Sequence, residues 1–162
     1  MKIKDYKIKN TEIRYGACDD SSCPKVVELK VTTEGTLNEL VDEIIEKTIA
    51  GQRSGADHPF FLHYSPTQKS VDEKSKTAAF AIQQEHGGGA SFDAQGVYGI
   101  KVNGTKGICK LLEFKLFDQN LTDPKYIIDS VKGGVIKYHQ KDEPNKIINY
   151  EGLGKLEEAN KD

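Results

Sequence analysis

Apolar and polar positions alternate most cleanly from Val26 to Thr32, with Val27, Leu29 and Val31 on one face and Glu28, Lys30 and Thr32 on the other. That spacing predicts a strand with one buried face. After a turn at Glu34-Gly35 the period changes. Leu37, Leu40, Val41, Ile44, Ile45 and Ile49 recur every three or four residues, the stripe of an amphipathic helix over 36–50. Thr36 stands at the N-cap with Glu39 three residues on, a capping box, and Gly51 supplies a left-handed C′ residue. Strand and helix each need a partner surface, so the helix is expected to lie across the sheet.

Elsewhere the pattern is less decisive. Residues 2–16 alternate loosely among lysines and predict one or two edge strands. Ala17 to Pro24 reads as a polar connection, and Phe60 to Tyr64 as a short strand stopped by Ser65-Pro66. Residues 67–76 carry almost nothing apolar and are expected to be exposed. Thr77 to Gln83 fits a strand or a helical turn equally, and 85–95 reads as a glycine-rich loop. Val97 to Val102 and Thr105 to Phe117 flank Asn103-Gly104, a strong hairpin signal. A two-residue turn there pairs Ile100 with Gly107 and turns Ile108 away from Ile100, which requires a bulge near Gly107 or an ordinary loop turn. Ile108, Leu112, Phe114 and Leu116 are expected on one face. Tyr126 to Val131 and Val135 to Tyr138 surround Gly133-Gly134 as short strands or turns, and 151–162 is a polar tail.

The architecture expected is α+β: a mixed or antiparallel sheet of about five strands with one main helix on a face. It forms one domain over 1–150, with a loop-rich insertion at about 52–95. The chain's 162 residues suit that size, and no apolar run reaches membrane-spanning length. No apolar signal segment opens the sequence, so a cytoplasmic or nuclear setting is expected. The formal charge of −2 argues against a general nucleic-acid binder.

Candidate chemistry is sparse. Cys18, Cys23 and Cys109 are too few and too scattered for a disulfide framework or a four-ligand zinc site, so free thiols and no metal are expected. His86 followed by Gly87-Gly88-Gly89 resembles an oxyanion loop, but no G-x-S-x-G nucleophile elbow accompanies it. Gly99 to Thr105 has phosphate-loop spacing without the lysine. His58, His63, His86 and His139 form no catalytic order. Neither an enzymatic role nor a cofactor is expected.

Cys18, a short polar link and VVELKVTTEGTLNELVDEII together resemble the opening of the C-terminal ubiquitin-like domain of the SUMO-activating enzyme's catalytic subunit. Gly99 to Gly104, Leu112-Glu113-Phe114 and Asp118-Gln119 are similar to that family's turn and acidic strand. The likeness covers about a third of the chain. Tyr15 stands where the family has the first cysteine of a zinc pair, which leaves no zinc implied here. The resemblance implies a non-catalytic protein–protein interaction domain with a ubiquitin-like or related roll. It would recruit a SUMO-conjugating enzyme through Leu112, Glu113, Phe114 and Asp118, an apolar anchor rimmed by carboxylates. The alternative reading is a stand-alone β-rich ligand-binding or structural assembly protein.

Overall fold

The structure, a computed structural model, describes residues 1–15, 20–54, 64–84, 93–117, 125–151 and 153. In order they form β1 (Ile3–Tyr15), β2 (Asp20–Val31), α1 (Leu37–Ser54), β3 (Tyr64–Asp72), β4 (Thr77–Gln84) and β5 (Asp93–Asn103). Then come β6 (Lys106–Phe117), β7 (Tyr126–Lys132), β8 (Val135–Gln140) and β9 (Ile148–Tyr150). A six-stranded sheet has the order β1-β2-β6-β5-β4-β3, and a three-stranded sheet the order β7-β8-β9. Every pairing is antiparallel. The α+β expectation therefore stands, with the sheet antiparallel rather than mixed. The helix carries the chain from β2 to the far edge, and β3 to β6 return as a meander.

The central strands of the large sheet are buried on both faces. Leu37, Leu40, Val41 and Ile44 of α1 are fully buried in a core with Val27, Leu29, Val31, Phe80, Ile82, Tyr98 and Ile100. The rings of Phe80 and Tyr98 stack at 5.7 Å within it. On the opposite face Ala79, Ala81, Val97 and Ile108 pack with Tyr126, Val131, Ile136 and Tyr138 of the small sheet. Each large apolar side chain removed from water in this way contributes about 1.5–3 kcal/mol. Double burial explains why Thr77 to Gln83 lacks a clear period. It is the strand β4, with Ala78, Phe80 and Ile82 toward the helix and small alanines toward the second sheet.

Several local expectations are corrected. The turn between β5 and β6 is Gly104-Thr105, one residue later than Asn103-Gly104, because Asn103 pairs with Lys106 and Ile100 with Cys109. Gly104 has φ +62°, the first central position of a type II′ turn. No bulge near Gly107 is needed, since Ile108 faces the small sheet and Cys109 the helix. The bulge lies further on, where Val97 pairs with Glu113 and Tyr98 with Leu111. It puts Leu112 and Phe114 in opposite cores, not on one shared face.

Residues 64–72, expected partly as loop, form the edge strand β3, where Pro66 costs no ladder bond that a central strand would need. Thus the stretch expected as an insertion at about 52–95 supplies β3 and β4. Strand β2 begins at Asp20, within the expected connection, and α1 runs through Gly51 to Ser54. Leu153, in the expected tail, is fully buried.

The helix start is held by more than its own cap. Glu39 N–H donates to Thr36 Oγ1 at 3.2 Å, and the hydroxyl donates to Glu39 Oε1 at 3.2 Å. From the β3–β4 turn, Glu73 accepts the N–H groups of Leu37 at 2.8 Å and Asn38 at 2.9 Å. Burial opposes the charge of Glu73, but these bonds and Lys76 outweigh it and hold its carboxyl below the ordinary value.

Two glycines separate packing from conformation. A Cβ at Gly96 would stand 2.3 Å from the Glu113 carbonyl oxygen, whereas at Gly104 it would meet nothing within 4 Å. Gly104→Ala is expected to lose about 1 kcal/mol, the cost of a left-handed residue. Gly96→Ala is expected to lose about 3 kcal/mol, because backbone has to move. Urea unfolding of both variants checks this, and equal losses contradict it.

Candidate interaction surface

The four residues singled out on β6 do not form one exposed strip. Leu112 is half-buried against the small-sheet core and Phe114 against the helix-side core. Asp118 lies outside the described residues. Glu113 follows the bulge and turns its side chain between the two sheets, toward Tyr126 and Tyr138. Its Oε2 and the Tyr126 hydroxyl are buried with no hydrogen-bond partner among the described residues. The two tyrosine rings meet edge to face at 6.3 Å. Burial, then the Glu113 charge, pushes both tyrosine hydroxyls well above their ordinary pKa.

Around this cluster, polar side chains of the large sheet pin the small one. Gln68 of β3 donates from Nε2 to the Tyr126 carbonyl at 2.6 Å and accepts Ile128 N–H on Oε1 at 3.0 Å. An amide side chain thus stands in for a neighbouring strand and closes that stretch of β7. Lys125 N–H donates to Gln95 Oε1. Asp72 Oδ2 accepts Gly133 N–H at 2.9 Å and the Ser75 hydroxyl at 2.6 Å, bonds that hold its carboxyl below the usual range. Lys110 Nζ donates to the Tyr150 hydroxyl at 3.0 Å. A Cβ at Gly99 would press on the side-chain tips of Ile136, Leu153 and Leu112, with Ile136 Cδ1 at 2.9 Å. None of these pins was singled out from the sequence. The available signal was a run of hydrogen-bonding residues on a strand-length segment.

His139 Nδ1 lies 2.8 Å from Asp129 Oδ2 on the small sheet. His58, His63, His86 and Cys18 fall outside the described residues. Cys109 is buried, and burial pushes its thiol up. Among the described residues no group of three or more His, Cys, Asp or Glu is placed to hold a metal. No described helix is long and apolar enough to cross a membrane.

What projects is the β1–β2 ribbon. β2 pairs with β6 only from Val26 to Lys30, yet its ladder with β1 continues outward from Asn10↔Val26 to Tyr15↔Asp20. Pro24, which lacks an N–H, marks the point where β2 leaves β6. Two N–H groups on the proximal edge of β1 are capped by carboxylates. Ile3 N–H donates to Glu43 Oε1 at 2.7 Å and Tyr6 N–H to Asp5 Oδ1 at 2.9 Å, and register shifts follow Ile3, Ile8 and Asn10. From Thr11 to Tyr15 the ladder is regular. Tyr6 and Ile147 are exposed large hydrophobics. Comparison with protein-family models, curated proteins and solved structures finds no match.

The tyrosine cluster sets an alkaline limit. Because Tyr126 and Tyr138 titrate higher folded than unfolded, their contribution is complete below about pH 10 and is lost as pH rises through the folded values. Absorbance at 295 nm is expected to show two late-ionising tyrosines, with ionisation coupled to unfolding. In Glu113→Gln they should ionise earlier; unchanged titration contradicts the placement.

Proposed function

We propose that the protein is a non-catalytic protein–protein interaction module of the assembly kind, docking through the distal β1–β2 ribbon. The observation that carries this is the regular ladder Thr11–Tyr15 with Asp20–Pro24, which extends beyond the last β2–β6 pair. A two-stranded ribbon is marginal in water by itself, and covering it with another chain stabilises it. A regular ladder with a continuing strand edge suits docking led by backbone hydrogen bonds. Capped N–H groups at Ile3 and Tyr6 and the irregular register of proximal β1 favour such pairing on the distal part.

The ubiquitin-like reading draws support from the opening order of two strands and a helix. Recruitment of a SUMO-conjugating enzyme draws less, since Leu112, Glu113 and Phe114 supply packing between layers. Sedimentation equilibrium separates the readings. The whole chain is expected to self-associate, and a variant with residues 11–23 replaced by a two-residue turn should be monomeric with an unchanged Tm. A monomeric whole chain that binds a conjugating enzyme would overturn the assembly reading.

A further inference from the structure

On the sheet face away from α1, beside the small sheet, lies a depression of about 280 Å³ lined by Asp5, Tyr6, Lys7, Glu28, Lys30 and Lys106. Lys30 and Lys106 are direct partners across the β2–β6 ladder, so their side chains leave the same face side by side. Asp5 pairs with Lys30 and Lys7 with Glu28 across β1–β2, which brings Lys7 diagonally beside Lys30. The carboxylates are engaged elsewhere: Asp5 accepts Tyr6 N–H, and Glu28 lies 3.2 Å from Lys9 Nζ. Among the described residues, Lys7, Lys30 and Lys106 have no carboxylate partner within ion-pair distance.

Like charges directly opposite in a ladder repel, and Lys30 faces Lys106 on one side and Asp5 on the other. Lys7, Lys30 and Lys106 together line the small concavity and supply the donors and charge that a multiply charged oxyanion needs. We propose that this depression binds a small ligand through a phosphate or pyrophosphate group bridging Lys30 and Lys106, with Lys7 closing over it. Its size excludes a duplex, and the net negative chain lacks the broad basic field of a nucleic-acid binder. The site shares nothing with the distal ribbon, so it stands or falls separately from the assembly reading.

Titration with pyrophosphate at constant ionic strength, followed by backbone amide NMR, tests it. Saturable shifts are expected at Lys7, Lys30 and Lys106. Lys106→Gln should weaken binding about threefold to fivefold, as for an exposed charge pair. Lys30→Gln/Lys106→Gln should abolish it, while Lys132→Gln on the small sheet leaves it unchanged. Removing one of two repelling charges should also raise the Tm of the ligand-free protein, which shows that Lys106→Gln still folds. A short single-stranded oligonucleotide should bind no more tightly per phosphate than pyrophosphate; tighter binding overturns the small-ligand assignment. Shifts that never saturate, shifts spread over other lysines, or full binding by the double variant overturn the site itself.

Discussion

A sheet that is dry on both faces governs the rest of this molecule. Once Leu37 to Ile44 cover one side of β4, β5 and β6, the other side still carries Ala79, Ala81, Val97 and Ile108, and it too must be removed from water. The three-stranded sheet meets that demand, and its approach dictates details far from its own sequence. At Gly99 the side-chain tips of Ile136 and Leu153 pack close against the strand. Glu113 is drawn between the layers because the bulge after Leu111 leaves no other direction for it.

The same constraint decides how much of the fold could be read from the chain. The strand at Val27–Val31 and the helix stripe from Leu37 to Ile44 were legible because each has one wet face, which leaves a period. β4 was not, since a strand covered twice shows a continuous apolar run. The turn at Gly104-Thr105 was displaced by one residue for a related reason. Assuming one buried face made Ile108 look misplaced, whereas two cores accommodate it on the face away from Ile100 without a bulge there. β3 was hidden by its polarity. Its Gln68 and Asp72, with Glu73 just beyond, serve as hydrogen-bonding links between layers, a use that composition alone cannot distinguish from a solvated loop. For the candidate site, Leu112, Glu113 and Phe114 were found as a dense segment, but their direction depended on a bulge that no local motif announces.

Where the second layer ends, the sheet becomes available for other uses. β1 and β2 run past the last β6 pair, and the carboxylate caps and irregular register of β1 lie on its proximal part. On the neighbouring uncovered face, Lys30 and Lys106 stand opposite one another, with Lys7 nearby. Both proposed functions therefore lie on the part of the large sheet that neither the helix nor the small sheet protects.

Native-state hydrogen exchange measures this division most directly. The account requires the amides of Ala78 to Ile82 and Val97 to Ile100 to exchange only through global unfolding. Those of Thr11 to Tyr15 in the isolated, unassembled chain should exchange by local opening, orders of magnitude faster. Equal protection of ribbon and central strands, or rapid exchange in β4, would show that the sheet is not held between two cores as described.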